Sequence, residues 1–196
     1  IPDLVGVYFT IDTQGATSSE ATNKNSEIVD SLKTSLMSKG FEKEQIQTQS
    51  FNVYPEYDYR TGTGKITGYK ATHSIKVELS ANDSNKIGEI IDAGINAGAG
   101  VSYINFELSQ ENQNKYKAEA MKLASQDAKI KAESVAEGLG KDLGSLVSVS
   151  VDNYNYIPWL AYDSAGASAP EIKQAVTGIQ PSDQQISASV TVVFRI

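Results

Sequence analysis

Two runs of alternating residues, joined by a segment that contains glycine, constrain this chain more than any other part of its sequence. Between Thr48 and Leu79, apolar and aromatic side chains recur at every second position before and after Gly62 and Gly64. Alternation with a period of two is typical of a strand with one buried face, and glycine accepts the positive φ of tight turns. The pattern predicts a β-hairpin with one face in the core. The residues assigned to that face are Phe51, Val53, Pro55, Tyr57, Tyr59, Tyr69, Ala71, Ile75, Val77 and Leu79.

The rest of the chain predicts strands and helices in a regular order around this hairpin. Apolar spacing and helix caps indicate a strand and a helix before it, a helix and a strand after it, then a long alanine-rich helix and two more strands. The predicted fold is α+β, a mostly antiparallel sheet with helices packed on one face. Its order is β-α-β-β-α-β-α-β-β, and the first part resembles the split βαβ arrangement. The predicted ranges are 4–12, 17–40, 48–79 for the hairpin, 82–98, 103–109, 112–137, 147–151 and 186–196.

One domain is predicted for residues 1–196, with 4–109 as the β-α-β-β-α-β portion and 110–196 as the long helix and the last two strands. Residues 153–185 lack a clear period and are predicted to form a long loop, in which Ala169–Val176 is a candidate for a short helix.

Four large aromatic side chains lie in this loop. Exposed aromatic residues are typical of protein interfaces, so these four are candidates for oligomer or partner contacts. The alternative, which the sequence leaves open, is that the loop folds back and its tryptophan fills the domain's own core. The four residues are Tyr154, Tyr156, Trp159 and Tyr162.

Composition excludes several classes of function. The chain has 196 residues, 40% of them hydrophobic and 21% charged, which is ordinary for a globular protein. A net charge of −7 argues against nucleic acid as a partner and against electrostatic binding to anionic membranes. The absence of cysteine excludes disulfides, thiolate nucleophiles and cysteine-based metal sites. No apolar run reaches the roughly 20 residues of a transmembrane helix. Because the chain opens at Ile1 without a signal segment, we expect a mature or trimmed form.

The motifs that suggest chemistry each have a simpler structural explanation. Gly62–Lys65 looks like part of a phosphate loop, but Ile66 and a strand follow it, where such a loop needs Ser or Thr and a helix. His73, the only histidine, is a candidate ligand or general base, yet a hydrogen-bonded core or interface histidine is favoured. The carboxylate pairs are favoured as solvated surface. We therefore predict no catalytic, metal or cofactor residues. The pairs are Glu42 with Glu44, Glu56 with Asp58, and Glu107 with Glu111.

The hairpin and the long helix together resemble the SIMPL domain family, bacterial and archaeal proteins of unknown function. The resemblance rests on Thr48–Tyr57 followed by Gly68–Ala71, on Pro2-Asp3 before the first strand, and on alanines at four-residue spacing from Ala120. It covers nearly the whole chain. Two features differ: the family's Gly-rich strand ahead of Pro2-Asp3 is missing, and His73 stands where relatives usually have Asn.

The resemblance implies a secreted, periplasmic or cell-surface protein that forms ring-like oligomers. It also implies links to envelope or oxidative stress and to immunogenicity, and it brings no catalytic residue.

Our preferred hypothesis is therefore a non-enzymatic extracytoplasmic domain that self-associates, with an envelope protein as a further possible partner. The alternative is a small-ligand-binding or hydrolytic domain that uses the hairpin tyrosines with Glu56 or Asp58. Those tyrosines are Tyr54, Tyr57, Tyr59 and Tyr69.

Overall fold

The computed structural model of the protein describes residues 1–60, 64–151, 156–163, 169–176, 181, 183 and 185–196. The α+β class with an antiparallel sheet is confirmed. The strands are β1 Leu4–Gly15, β2 Ile46–Asp58, β3 Lys65–Ser80, β4 Gly100–Glu107, β5 Leu146–Val151, β6 Trp159–Asp163 and β7 Val190–Phe194. The helices are α1 Ser18–Ser38, α2 Ile87–Ala97, α3 Gln110–Gly138 and α4 Ala169–Val176, and short 3₁₀ helices span Lys43–Gln45 and Ala81–Lys86.

These elements fall into two compact units. The sheet unit comprises Pro2–Glu107 and Trp159–Pro181, and the helix unit comprises Ile1, Leu108–Pro158 and Ser182–Ile196. The prediction of one domain over 1–196 stays a prediction.

The core of the sheet unit lies between a five-stranded sheet and helices on one of its faces. The sheet order is β2-β3-β1-β4-β6, with antiparallel neighbours throughout. Alternate residues of β1 point into the core because side chains alternate along a strand. Every fourth or third residue of α1 and α2 meets them, as the helical period requires. The fully buried members include Val5, Val7, Phe9, Ile11, Leu32, Leu36, Ile75, Ile90 and Ile91.

Local signals in the sequence set the ends of two helices. Thr17 caps α1, its hydroxyl accepting the amide N–H of Glu20, while Glu20 accepts the N–H of Ala16. Gly98 ends α2 with a φ of 95°, a backbone conformation that glycine adopts without strain. The start predicted for the second helix, at residue 82, is corrected: Ser80 caps a 3₁₀ turn there, and α2 begins only at Ile87.

Gly94 lets α2 lie directly on the sheet. A Cβ at this position would overlap the ring of Phe9, which is fully buried. The close approach of helix and strand therefore depends on the absence of a side chain at Gly94.

The hairpin forms as predicted, but its burial does not follow the prediction along β2. Only Ile46 of β2 is buried, while Phe51, Val53 and Tyr57 are exposed. The reason is position: β2 is the edge strand, and α1 packs mainly over β1 and β3. Pro55, opposite Tyr69, is tolerated there because an edge strand has one unpaired side.

The long loop predicted for 153–185 is also corrected. Trp159–Asp163 forms β6, which pairs with β4, and Ala169–Val176 is the short helix α4. The apolar run of β6 is short and is flanked by polar and proline residues, so the sequence shows no clear period there. The glycine turn at 61–63 and residues 152–155, which include Tyr154, lie outside the described residues.

The helix unit contains α3 and an antiparallel pair of strands, β5 and β7. Alanines at every fourth position of α3, from Ala120 to Ala132, are half-buried, and α3 contacts β7. Leu123 and Val135 of the same helix are exposed. In β7, Val190, Val192 and Phe194 are half-buried, whereas every residue of β5 is exposed.

Candidate functional site

A concave site in the sheet unit is built around His73. Helix α1 forms one wall, and the edge of the sheet forms the other. The cavity has a volume of about 350 Å³, at the lower end of the range for small-molecule sites. We call it the His73 pocket; its lining residues are Thr22, Ser26, Val29, Asp30, Lys33, Phe51 and His73.

Asn25 holds the imidazole of His73 from inside the protein. Asn25 is fully buried, and its Nδ2 donates to the carbonyl oxygens of Ile11 at 2.9 Å and Ala71 at 3.4 Å. These bonds fix the amide, so Oδ1 is the atom 3.1 Å from Nδ1 of His73. Because Oδ1 can only accept, Nδ1 of His73 carries the proton.

The other ring nitrogen faces a hydroxyl. Nε2 of His73 lies 3.0 Å from Oγ1 of Thr48. With the proton on Nδ1, Nε2 accepts from the Thr48 hydroxyl in the neutral ring. Burial lowers the pKa of His73, and the nearby charge of Lys33 lowers it further. The imidazole is therefore neutral at pH 7 and offers Nε2 as a base.

A bulge in β2 places Thr48 on this face of the sheet. In the register Thr48 is opposite Ile75 and Phe51 is opposite His73, and Gln49 is skipped. Two residues three apart would lie on opposite faces of a regular strand. The extra residue brings both to the α1 face, and bulges commonly redirect side chains in this way. The sequence prediction missed this contact because it assumed unbroken alternation.

The other face of the sheet carries a charged cluster that sequence reasoning also missed. Lys76 is buried, and its Nζ donates to Glu107 at 2.7 Å and to Glu78 at 2.8 Å. The hydroxyl of Tyr8 donates to Glu107 at 2.7 Å, and the ring of Tyr8 stacks on Tyr103 with centroids 4.2 Å apart.

Hydrogen bonds within this cluster keep Lys76 and Tyr8 protonated. Burial alone would lower the pKa of Lys76, but the hydrogen bonds that it donates to Glu107 and Glu78 raise that pKa above its ordinary value. Burial and the bond to Glu107 raise the pKa of Tyr8. A Cβ at Gly6 would come within 2.8 Å of the Tyr8 ring. The cluster is thus closely packed and mutually satisfied, which favours a structural role. Glu107 was predicted as surface with Glu111; it bonds to Lys76 and Tyr8 instead.

The hairpin tyrosines do not converge on one site. Tyr54 is opposite Lys70 and Tyr69 is opposite Pro55, so these two point to opposite faces of the ribbon. Tyr57 and Tyr59 are neighbours, with ring centroids 5.9 Å apart, and both are exposed. A ligand site built from all four tyrosines would need them on one face.

The aromatic residues predicted for contacts mostly make contacts within their own unit. The ring of Trp159 lies 5.6 Å from that of Phe106, and Trp159 and Tyr162 pack against the core of the sheet unit. The hydroxyl of Tyr156 accepts the amide N–H of Leu108 at 2.6 Å. Their role in oligomer or partner contacts stays a prediction, and for Tyr154 the structure gives no placement.

The helix unit presents a large apolar surface to solvent. Leu123 and Ile130 of α3 are 59% and 60% exposed. The valines of β5 are 51% to 54% exposed. A cavity of about 290 Å³ in the same unit is lined mainly by apolar groups, among them Leu108, Tyr116 and Leu123. We call Leu123, Ile130, Val147, Val149 and Val151 the apolar surface of the helix unit.

In the described part of the chain, three or more Asp, Glu or His side chains do not come together anywhere as they would around a metal ion. None of the helices in that part combines the length and the apolar character that crossing a membrane requires.

Comparison with known proteins adds a family to this geometry. The SIMPL family, described as "Protein of unknown function (DUF541)", matches residues 1–194. The "Uncharacterized protein YggE" of Escherichia coli K12 is 26% identical over 202 residues, which cover 100% of this chain and 78% of that protein. The "26 kDa periplasmic immunogenic protein" of Brucella melitensis biotype 1 is 26% identical over 206 residues, covering 100% of this chain and 79% of that protein. The match confirms the resemblance seen in the hairpin and the long helix: the chain belongs to the SIMPL family.

Proposed function

We propose that this protein is an extracytoplasmic domain that self-associates, and that the apolar surface of the helix unit is where the copies meet. The observation that carries the proposal is the exposure of this surface. Single exposed apolar residues are normal, but several large apolar side chains exposed in one small unit are typical of an interaction site.

The helix unit leaves many of its large apolar residues exposed. A two-stranded sheet is marginally stable in water without further strands or a packed face. All six residues of β5 are exposed, its three valines among them. Full burial of one valine or leucine side chain contributes about 1.5–3 kcal/mol. Covering this surface would therefore stabilise the unit substantially.

The charges of the helix unit favour a second copy of the chain as the cover. The whole chain carries a net charge of −7, which opposes association of identical molecules. Helix α3, by contrast, has five lysines and five acidic residues, and β5 and β7 have no charged residue. Two copies can therefore approach through these elements without net like-charge repulsion.

The location outside the cytoplasm is part of the same proposal. The Brucella relatives are named periplasmic immunogenic proteins. The absence of cysteine suits such a compartment but does not require it. Self-association needs no reaction, in line with the expectation of a non-enzymatic domain, and protection of the envelope under stress is the role that the family resemblance implied.

The test is molar mass in solution by light scattering. We expect the wild-type chain to exceed its monomer mass of 21.1 kDa. Leu123→Glu with Ile130→Glu places two carboxylates on the apolar surface and should give monomers. A wild-type chain that is monomeric at all concentrations would contradict the proposal.

The matched control is Ala118→Glu with Ser125→Glu. These residues are also exposed, also seven apart, and about 140° round the helix from the first pair at 100° per residue. The control adds the same charge to α3 and should keep the wild-type mass. Equal loss of mass in both pairs would point to charge rather than to the apolar surface.

A further inference from the structure

The His73 pocket adjoins an arrangement that can support covalent catalysis, in which His73 is the residue that also lines the pocket. Thr48, His73 and Asn25 are linked in sequence by hydrogen bonds of 3.0 Å and 3.1 Å. A hydroxyl, an imidazole that accepts its proton, and a third group that orients the imidazole are the parts of a nucleophilic relay. Such relays are recognised by geometry and roles, and they occur with Asn as the third group.

We propose that Thr48, His73 and Asn25 form an acyl-transfer relay that hydrolyses small esters bound in the His73 pocket. Thr48 is the nucleophile and His73 the general base, while Asn25 is a positioning residue. The proposal concerns the sheet unit and is independent of the proposed self-association. It opposes the expectation of a non-enzymatic domain, and one experiment decides between the two.

The positioning of the base is the best-defined part of the relay. The side-chain amide of Asn25 cannot flip, because the two carbonyl oxygens to which its Nδ2 donates belong to the central strands β1 and β3. It therefore holds Nδ1 as the donor and Nε2 as the acceptor, the tautomer that a base needs. The lowered pKa keeps His73 unprotonated at neutral pH.

The nucleophile is accessible, and the pocket supplies a binding surface beside it. Thr48 is exposed, and the bulge at Gln49 sets it on the same face as Phe51. The ring of Phe51 is 43% exposed and lies 5.2 Å from that of His73, forming an aromatic wall. An ester with a short apolar or aromatic acyl group fits a cavity of about 350 Å³ with this lining.

Positive charge is available for the oxyanion. Lys33 lines the pocket, and its charge acts on His73. Groups of this kind stabilise the negative oxygen that develops when a carbonyl is attacked. Asp30, on the same helix face, is the other charged residue of the lining.

Hydrolysis of an ester would proceed in two steps, acylation of Thr48 and then attack by water. Oγ1 of Thr48 attacks the carbonyl carbon as its proton passes to Nε2 of His73. The bond to the leaving alcohol breaks, the alcohol takes that proton, and an acyl ester of Thr48 remains. Water then gives a proton to Nε2 and attacks the acyl carbon, the Thr48 oxygen leaves and regains the proton, and a carboxylic acid is released.

The experiment uses p-nitrophenyl acetate with the full chain. Release of nitrophenolate is followed by absorbance, and samples quenched in acid are mapped by mass spectrometry for acetyl-Thr48. We expect the adduct in the wild type and its loss in Thr48→Val and His73→Gln, with rates lower by about 100-fold or more. Ser50→Ala, a hydroxyl on the opposite face of the same strand, should react like the wild type.

A pH profile separates a relay from a structural hydrogen bond. Because only neutral His73 accepts the proton, the rate should rise with pH and reach half its plateau below 6.5, the ordinary pKa of histidine. A wild-type rate retained by Thr48→Val would show catalysis by the imidazole alone and would overturn the relay. Acetyl groups found only on lysines or the amino terminus would overturn it as well. Thr48 is exposed and valine keeps its β-branched shape, so this variant should fold.

Discussion

The sheet unit and the helix unit use the same alternating pattern and reach opposite results. From Val5 to Ile11 of β1 every second side chain is fully buried, whereas β5, which reads Leu-Val-Ser-Val-Ser-Val, has no buried residue. The difference lies in what covers each sheet. Helices α1 and α2 lie over β1 and its neighbours, while β5 pairs with β7 alone among the described residues and all six of its residues are exposed. Alternation therefore predicts a strand, and only the surrounding layers determine whether it is buried.

The largest expected difference between the units concerns a lysine. Lys76→Met removes the partner of Glu78 and Glu107, leaving a poorly hydrated carboxylate, since the side chain of Glu107 is 12% exposed. We expect the free energy of unfolding to fall by about 3 kcal/mol. Lys129→Met, in an exposed pair with Glu133 on α3, should cost less than about 0.5 kcal/mol. Urea unfolding of both variants measures the two effects.

Lys76 should also make the stability of the fold depend on pH at high pH. The folded-state pKa of Lys76 is raised above 10.5, so its stabilisation is complete below pH 10.5 and is lost as the pH rises through the folded value. Stability of the wild type should fall over that range more than stability of Lys76→Met. Parallel curves for the two proteins would contradict the assignment.

A second comparison uses one substitution at two isoleucines. Ile75→Ala, in the core of the sheet unit, should lower the free energy of unfolding by about 2–5 kcal/mol through lost burial and a residual cavity. Ile130→Ala, on the apolar surface of the helix unit, should cost less than about 1 kcal/mol in dilute, monomeric protein. Denaturant titration at two protein concentrations checks both. A large cost at Ile130 in the dilute sample would mean that this side chain is already buried within a single chain.

The smallest effect is expected at Asp12, at the surface of the sheet unit. Burial would raise its pKa, but the hydrogen bonds from Lys70 and Thr72 lower it below 3.8. Asp12 therefore stabilises the fold above pH 3.8, and this contribution is lost as the pH falls through the lowered value. Because Asp12 and Lys70 are partly exposed, Asp12→Asn should cost about 0.2–1 kcal/mol at pH 7 and nothing near pH 2. Thermal unfolding at the two pH values would show the difference.

The sequence was sufficient for the elements with local signals. The alternation of β1 and β3 and the hydroxyl cap at Thr17 depend on residues a few positions apart, and each was predicted. Ala169–Val176 was recognised as a helix candidate and is α4.

The features that escaped prediction depend on distant residues or on one irregular position. Lys76 and Glu107 are 31 positions apart in the chain, and they come together only because β3 and β4 both pair with β1. Gln49 shifts the parity of β2, so unbroken alternation did not predict the contact of Thr48 with His73. Trp159–Asp163 forms a strand because it pairs with the open edge of β4, and the alternation of its own residues does not predict it.

Pro55 in the edge strand β2 has a consequence for growth of the sheet. A 13-residue edge strand with exposed aromatic residues would ordinarily recruit strands from other molecules and lead toward fibres. Proline has no amide hydrogen, so Pro55 offers no donor to an incoming strand near the C-terminal end of β2. Pro55 thus interrupts the row of backbone hydrogen-bonding groups along β2 and disfavours the addition of strands from other molecules at this edge of the sheet.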